Sequence, residues 1–132
     1  MNQRNRQTGF SAIELLVGVV VLGLLAAVAV PIYQDQVGAA RRSDARAALT
    51  RVSQRLERCR TQFYAYNTDD CPVSFPVTSE NGHYAVTVTR NATSFTLTAT
   101  PQGKQADDAC ETLTLDNLGK RGATGAGVET CW

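Results

Sequence analysis

From Leu15 to Val30 the chain carries no charged residue, and the wider span from Phe10 to Tyr33, 24 residues long, holds a single one, Glu14. A helix needs about 20 mainly apolar residues to cross a bilayer, so this span meets the requirement. A charge inside such a helix costs at least about 2.5–3.5 kcal/mol, and a carboxylate kept there is normally paired or functional. Two plain readings leave it unexplained. A secretory signal peptide would use Arg4 and Arg6 as its positive region and a cleavage site within AAVAV, but its apolar core is ordinarily about 7–15 residues, shorter than this run. A simple anchor held by Arg4 and Arg6 on the cytoplasmic side gives Glu14 no purpose.

Glu14 needs a cation, and Arg6 lies eight positions upstream, more than two helical turns away. A cut before Phe10 would create one, because a free α-amino group titrates near about 8 and is largely protonated at neutral pH. Within one chain that amine lies about a turn from Glu14. A neighbouring chain shifted along the helix axis would bring its amine closer, so the pair would specify how subunits stack.

The stretch Gly9-Phe10-Ser11-Ala12-Ile13-Glu14-Leu15-Leu16-Val17, behind a short basic leader, resembles the class III prepilin motif of type IV pilins and pseudopilins. The motif joins a cleavage glycine, an aromatic first residue, a glutamate at the fifth mature position and a long apolar helix. Ser11 and Ala12 depart from the commoner Thr and Leu. The resemblance implies that a prepilin peptidase cuts between Gly9 and Phe10 and methylates the Phe10 amine, and that Glu14 serves subunit assembly. Pro31 also matches the pilin pattern; it removes a backbone donor and is expected to kink or locally melt the helix.

Beyond the apolar run about a hundred residues remain, enough for one small domain. All four cysteines, Cys59, Cys71, Cys110 and Cys131, fall there, and an even count beyond a membrane segment points to disulfides in an oxidising compartment. No C-x-x-C pair occurs and the lone histidine, His83, stands apart, which argues against zinc. Four cysteines allow three connectivities, and the sequence does not choose among them. The expectation is the local pairing: Cys59 with Cys71, fastening the chain as it leaves the helix, and Cys110 with Cys131, tethering the tail.

After Pro31, Ala45, Leu49, Val52, Leu56, Cys59 and Phe63 recur at spacings of three and four, an apolar stripe expected to pack on a sheet. Seven arginines lie between Arg41 and Arg60 (Arg41, Arg42, Arg46, Arg51, Arg55, Arg58 and Arg60) against only Asp44 and Glu57. This reads as a solvated face with a few pairs at i to i+3 or i+4. From Thr61 onward four basic residues face eight acidic ones, so a basic helix precedes an acidic head and charge complementarity between subunits is the expected use. Aromatic residues do not interleave with the arginines, and nucleic acid is not expected as a partner.

Three segments alternate as half-buried antiparallel strands: HYAVTVT (83–89), SFTLTAT (94–100) and ETLTLD (111–116). Arg90 to Thr93 is expected to turn between the first two, and Gly122, Gly125 and Gly127 to form a loose tail. FTLTATPQG, the Asp107–Asp116 segment and the terminal Cys-Trp resemble short minor pilins of the PilE type, so the resemblance covers nearly the whole chain. His83 has no assignable nucleophile beside it, and Asp69-Asp70 and Asp107-Asp108 read as turns, lacking calcium-loop spacing. No catalytic residue, metal or cofactor is expected.

These readings imply an α+β type IV pilin fold: a long N-terminal helix packed on a three- or four-stranded antiparallel sheet, with a disulfide-closed C-terminal loop. The expected organisation is a leader (1–9), a transmembrane and assembly helix (10–33), an amphipathic second half (34–64) and a β-rich head (65–132). The implied function is that of a minor pilin acting in priming or assembly of a type IV pilus, not an enzyme. A type II secretion pseudopilin and a DNA-binding pilin for uptake are the alternatives. Its partners would be other pilins through their N-terminal helices, the peptidase and the inner-membrane assembly machinery. It would reside in the inner membrane, head in the periplasm, before joining a surface pilus.

Overall fold

The computed structural model describes residues 9–132, so the leader arginines Arg4 and Arg6 lie outside the described residues. The chain divides into two compact units, one reaching Gln36 and one running Val37–Trp132. A single helix, α1 (Ala12–Phe63), passes through both and contains Pro31, with helical residues on either side of it.

In the first unit every large apolar side chain from Ile13 to Ile32 is exposed. A helix that is apolar all round and covered by none of the described residues requires an apolar surrounding. It is also long and apolar enough to cross a membrane.

The second unit is built on a five-stranded antiparallel sheet whose strands pair in chain order: β1 (Val77–Thr78), β2 (Tyr84–Arg90), β3 (Phe95–Pro101), β4 (Leu113–Asp116) and β5 (Arg121–Ala123). The long central ladder sets Val86 against Ala99 and Val88 against Leu97, and β4 continues the register with Leu97 opposite Leu115. Alternation places Tyr84, Val86, Phe95, Leu97, Ala99, Leu113 and Leu115 on one buried face. Against them α1 buries Ala45, Ala48, Leu49, Val52, Leu56 and Cys59. Each fully buried leucine of this set, Leu49 or Leu56, contributes about 1.5–3 kcal/mol.

The sheet therefore has five strands instead of the three or four expected, because two very short strands flank the alternating ones. The stripe on α1 also stops earlier than its periodicity suggests: Phe63, in the last turn, is 39% exposed. Tyr66, just beyond the helix, closes the core in its place and meets Phe95 edge to face at 4.9 Å.

The glycine-rich tail is not loose. Arg121–Ala123 pairs with β4, and Gly125 N–H and Ala126 N–H donate to the carbonyls of Cys110 and Ala109. A Cβ on Gly125 would stand 2.0 Å from the Ala109 carbonyl oxygen, so glycine is required by close approach of two backbones. A short helix, α2 (Val128–Cys131), ends the chain. The turn between β2 and β3 is organised by Asn91, whose Oδ1 accepts from the N–H of Thr93 and of Ser94, each at 2.8 Å.

Candidate functional site

Functional features fall in both units. In the first, Gly9 and Phe10 precede α1 and are exposed, Phe10 at 81%. Ser11 stands immediately before the helix, its carbonyl accepting from Leu15 N–H at 3.1 Å, and Glu14 lies in the first turn. Ser11-Ala12-Ile13-Glu14 thus has the spacing of a capping box, a local reason for a carboxylate here that the sequence reading missed. The helix dipole favours the same charge at the same place. Capping and pairing with a neighbour's amine are separable, because glutamine can replace glutamate in a capping box but cannot pair as an anion.

In the second unit, α1 is tied to the sheet and its loops by two carboxylates. Asp44, buried on α1, accepts from Ser79 Oγ at 2.6 Å, from Asn81 N at 3.2 Å and from Asn81 Nδ2 at 3.3 Å. Ser79 Oγ in turn accepts from Tyr84 N. Burial pushes the Asp44 carboxyl up, but the hydrogen bonds from Ser79 and Asn81, helped by His83, outweigh it and hold it below the ordinary value. Asp108 meets Arg42, with Nη2 at 2.6 Å and Nε at 3.0 Å, and also accepts from Tyr84 Oη at 3.1 Å. Burial again opposes ionisation, and Arg42 and Tyr84 overcome it, so this carboxyl also titrates low. The Tyr84 hydroxyl is pushed up to about 12, chiefly by burial and further by Asp108.

Cys59 is joined to Cys71 and Cys110 to Cys131, the local one of the three connectivities. The second bond acts beside a further tether: Trp132 Nε1 donates to Gly122 O at 2.8 Å, and Arg121 lies over the indole at 5.1 Å. Among the described residues no cluster of His, Cys, Asp or Glu could hold a metal.

The ion pairs that Arg42 and Arg51 make are not the i to i+3 or i+4 pairs expected of a solvated helix face. The side chains reach across to the head: Arg42 to Asp108, Arg51 to Glu80 at 2.8 Å, and Arg41 to the carbonyl of Lys104. Arg60 donates to the carbonyls of Tyr64 and Ala92 and sits over the Tyr66 ring. Long side chains extending sideways from a helix find loop and sheet partners that spacing along one helix cannot reveal. The exposed Arg55 and Arg58 are different, since the side chain of neither makes a hydrogen bond or ion pair among the described residues.

A family model described as "Type IV minor pilin ComP, DNA uptake sequence receptor" matches residues 31–114. A fimbrial protein of Moraxella nonliquefaciens is 46% identical over 41 residues, which cover 31% of this chain and 27% of that relative. Among solved structures, the non-core minor pilin PilV of Neisseria meningitidis aligns with a TM-score of 0.54 at 24% identity, covering 69% of this chain and 90% of that one. A type IV pilin from Shewanella oneidensis aligns with a TM-score of 0.49 at 32% identity, over 72% and 97% of the two chains. The PilV likeness shares the fold just described, and the family match takes in α1 from Pro31 onward and the sheet from β1 to the start of β4. The chain belongs to the type IV minor pilin ComP family.

Proposed function

We propose that the chain is a minor subunit of a type IV pilus that enters the fibre through its N-terminal helix and acts in priming or assembly. The observation that carries this reading is a helix whose apolar side chains from Ile13 to Ile32 are all exposed, with one carboxylate, Glu14, in its first turn, on the same chain as a small disulfide-closed head. Before assembly the helix rests in the inner membrane with the head in the periplasm. A prepilin peptidase cuts between Gly9 and Phe10 and methylates the new amine, and Glu14 pairs with the Phe10 amine of a neighbouring pilin. Pro31 offers a site where the helix bends as the membrane is exchanged for neighbouring helices. The test is deletion of the gene, with surface pili counted and type II secretion assayed in parallel. Loss of pili with intact secretion is expected, whereas lost secretion with normal piliation would favour a pseudopilin.

A second reading, reception of DNA by the assembled subunit, is favoured by the family match and by Arg55 and Arg58, whose side chains make no hydrogen bond or ion pair among the described residues. It is compatible with assembly, since a receptor of this kind must also be carried on a fibre. Transformation assayed in piliated cells lacking this subunit separates the two: a defect that persists when pili are normal belongs to reception.

A further inference from the structure

Arg55, Arg58 and Gln62 recur at spacings of three and four on α1, a stripe flanking the buried one formed by Val52, Leu56 and Cys59. Across from them the chain returns from the first disulfide as Pro72 and Val73. Together with Cys59 these residues line a groove of about 260 Å³. Its walls carry two guanidinium groups and an amide, and its floor is apolar. Elsewhere on the helix Arg41, Arg42, Arg51 and Arg60 have carboxylate, carbonyl or ring partners within the head, and Arg46, whose Nε is buried without a hydrogen-bond partner, is half-buried and turned away from solvent in a way that Arg55 and Arg58 are not. Here the Cys59–Cys71 bond ties the facing wall to the helix, and Arg55 and Arg58 have no carboxylate partner among the described residues.

We infer that this groove is the seat of the DNA backbone, with Arg55 and Arg58 each pairing with a phosphate and Gln62 donating beside them. The inference rests on the DNA-reception reading. One helical turn separates the two arginines, about 5 Å of rise, and their flexible stems let planar heads grip neighbouring phosphates of one strand. Pro72 and Val73 offer an apolar surface to the deoxyribose between those phosphates. Such contacts position a duplex without reading its sequence. An acidic face on a neighbouring pilin is the competing occupant; the family's description favours phosphate.

The full-length chain in detergent micelles is titrated against a fluorescently labelled duplex of mixed sequence, by anisotropy, between about 50 and 200 mM salt. Arg55→Gln/Arg58→Gln is compared with wild type and with Lys104→Gln/Lys120→Gln, which removes the same charge from other exposed positions. Because Arg55 and Arg58 are exposed and unpaired, the double variant should keep the wild-type urea midpoint. Losing two phosphate contacts should lower the slope of log K against log salt by about 1.8 and weaken binding at least tenfold at low salt, with the lysine variant little changed. Binding by wild type that the arginine variant retains would overturn the groove while leaving DNA reception standing. No binding by wild type at any salt overturns both, and if the arginine variant is then poorly incorporated into pili, the groove belongs to an acidic neighbouring subunit.

Discussion

Arg42 and Asp108, 66 positions apart in sequence, meet through Nε and Nη2 of one guanidinium and the carboxylate of the other, and Tyr84 Oη donates to the same carboxylate. The side chains are 15% and 3% exposed, so the pair joins the helix to the loop between β3 and β4 in a largely water-free setting. Removing one member leaves the other desolvated without compensation. Asp108→Ala is expected to cost about 2–3 kcal/mol, against under 1 kcal/mol for Glu80→Ala in the exposed pair with Arg51, measured by urea unfolding of the chain in detergent. Equal costs would show the burial of the Arg42 pair to be immaterial.

The two low-titrating carboxylates set an acid limit. A carboxyl whose folded pKa lies below its unfolded value of about 3.9 contributes stability that is complete above that value and lost as pH falls through the folded pKa. Melting temperature should therefore hold from neutral pH to about 5 and drop below about 4, and Asp44→Asn with Asp108→Asn should flatten that drop. Tyr84 works in the opposite direction: its folded pKa of about 12 means stability present below the ordinary tyrosine value near 10 and lost as pH climbs toward 12. Tyr84→Phe should remove part of the alkaline loss.

Gly125→Ala should destabilise the head by about 1–3 kcal/mol, since the added methyl meets the Ala109 carbonyl and a backbone segment must move. The same change at Gly119 acts through strain alone, because its φ is +77° but nothing lies within 4 Å of the added Cβ. Urea midpoints of the two variants, read side by side, check the ranking.

What the sequence disclosed and what it hid follow from the range of the interactions. Alternation along β2, β3 and β4 and the stripe on α1 are local patterns, and the buried faces they indicate are the faces found. The last strand was hidden because Gly122 normally weakens a strand, while here its missing side chain makes room for the Thr114 hydroxyl, and just beyond the strand Gly125 admits the Ala109 backbone. Asp108 sits in a dipeptide that reads as a turn, and its partner lies 66 positions away, beyond any local pattern. Asp44 left a trace: it stands four and eight positions before Ala48 and Val52, which places a carboxylate beside the core stripe and calls for partners there.

Glu14→Gln separates capping from pairing. The amide suits the capping-box spacing with Ser11 and lowers the cost of residence in a bilayer, but it cannot pair with a protonated amine. The variant should accumulate in the membrane at wild-type levels and enter sheared pili at least several-fold less. Equal incorporation of the glutamine form would assign Glu14 to its own helix.

The most direct measurement is the intact mass of this chain recovered from sheared pili. Removal of a leader ending at Gly9 would take away Arg4 and Arg6, so the formal side-chain charge would fall from +1 to −1, with 11 basic residues facing 12 acidic ones. The predicted result is a polypeptide beginning at N-methylated Phe10, with two disulfides, present in the fibre at low abundance. A chain that begins near Ala29, or one found in the envelope and never in the pili, would contradict it.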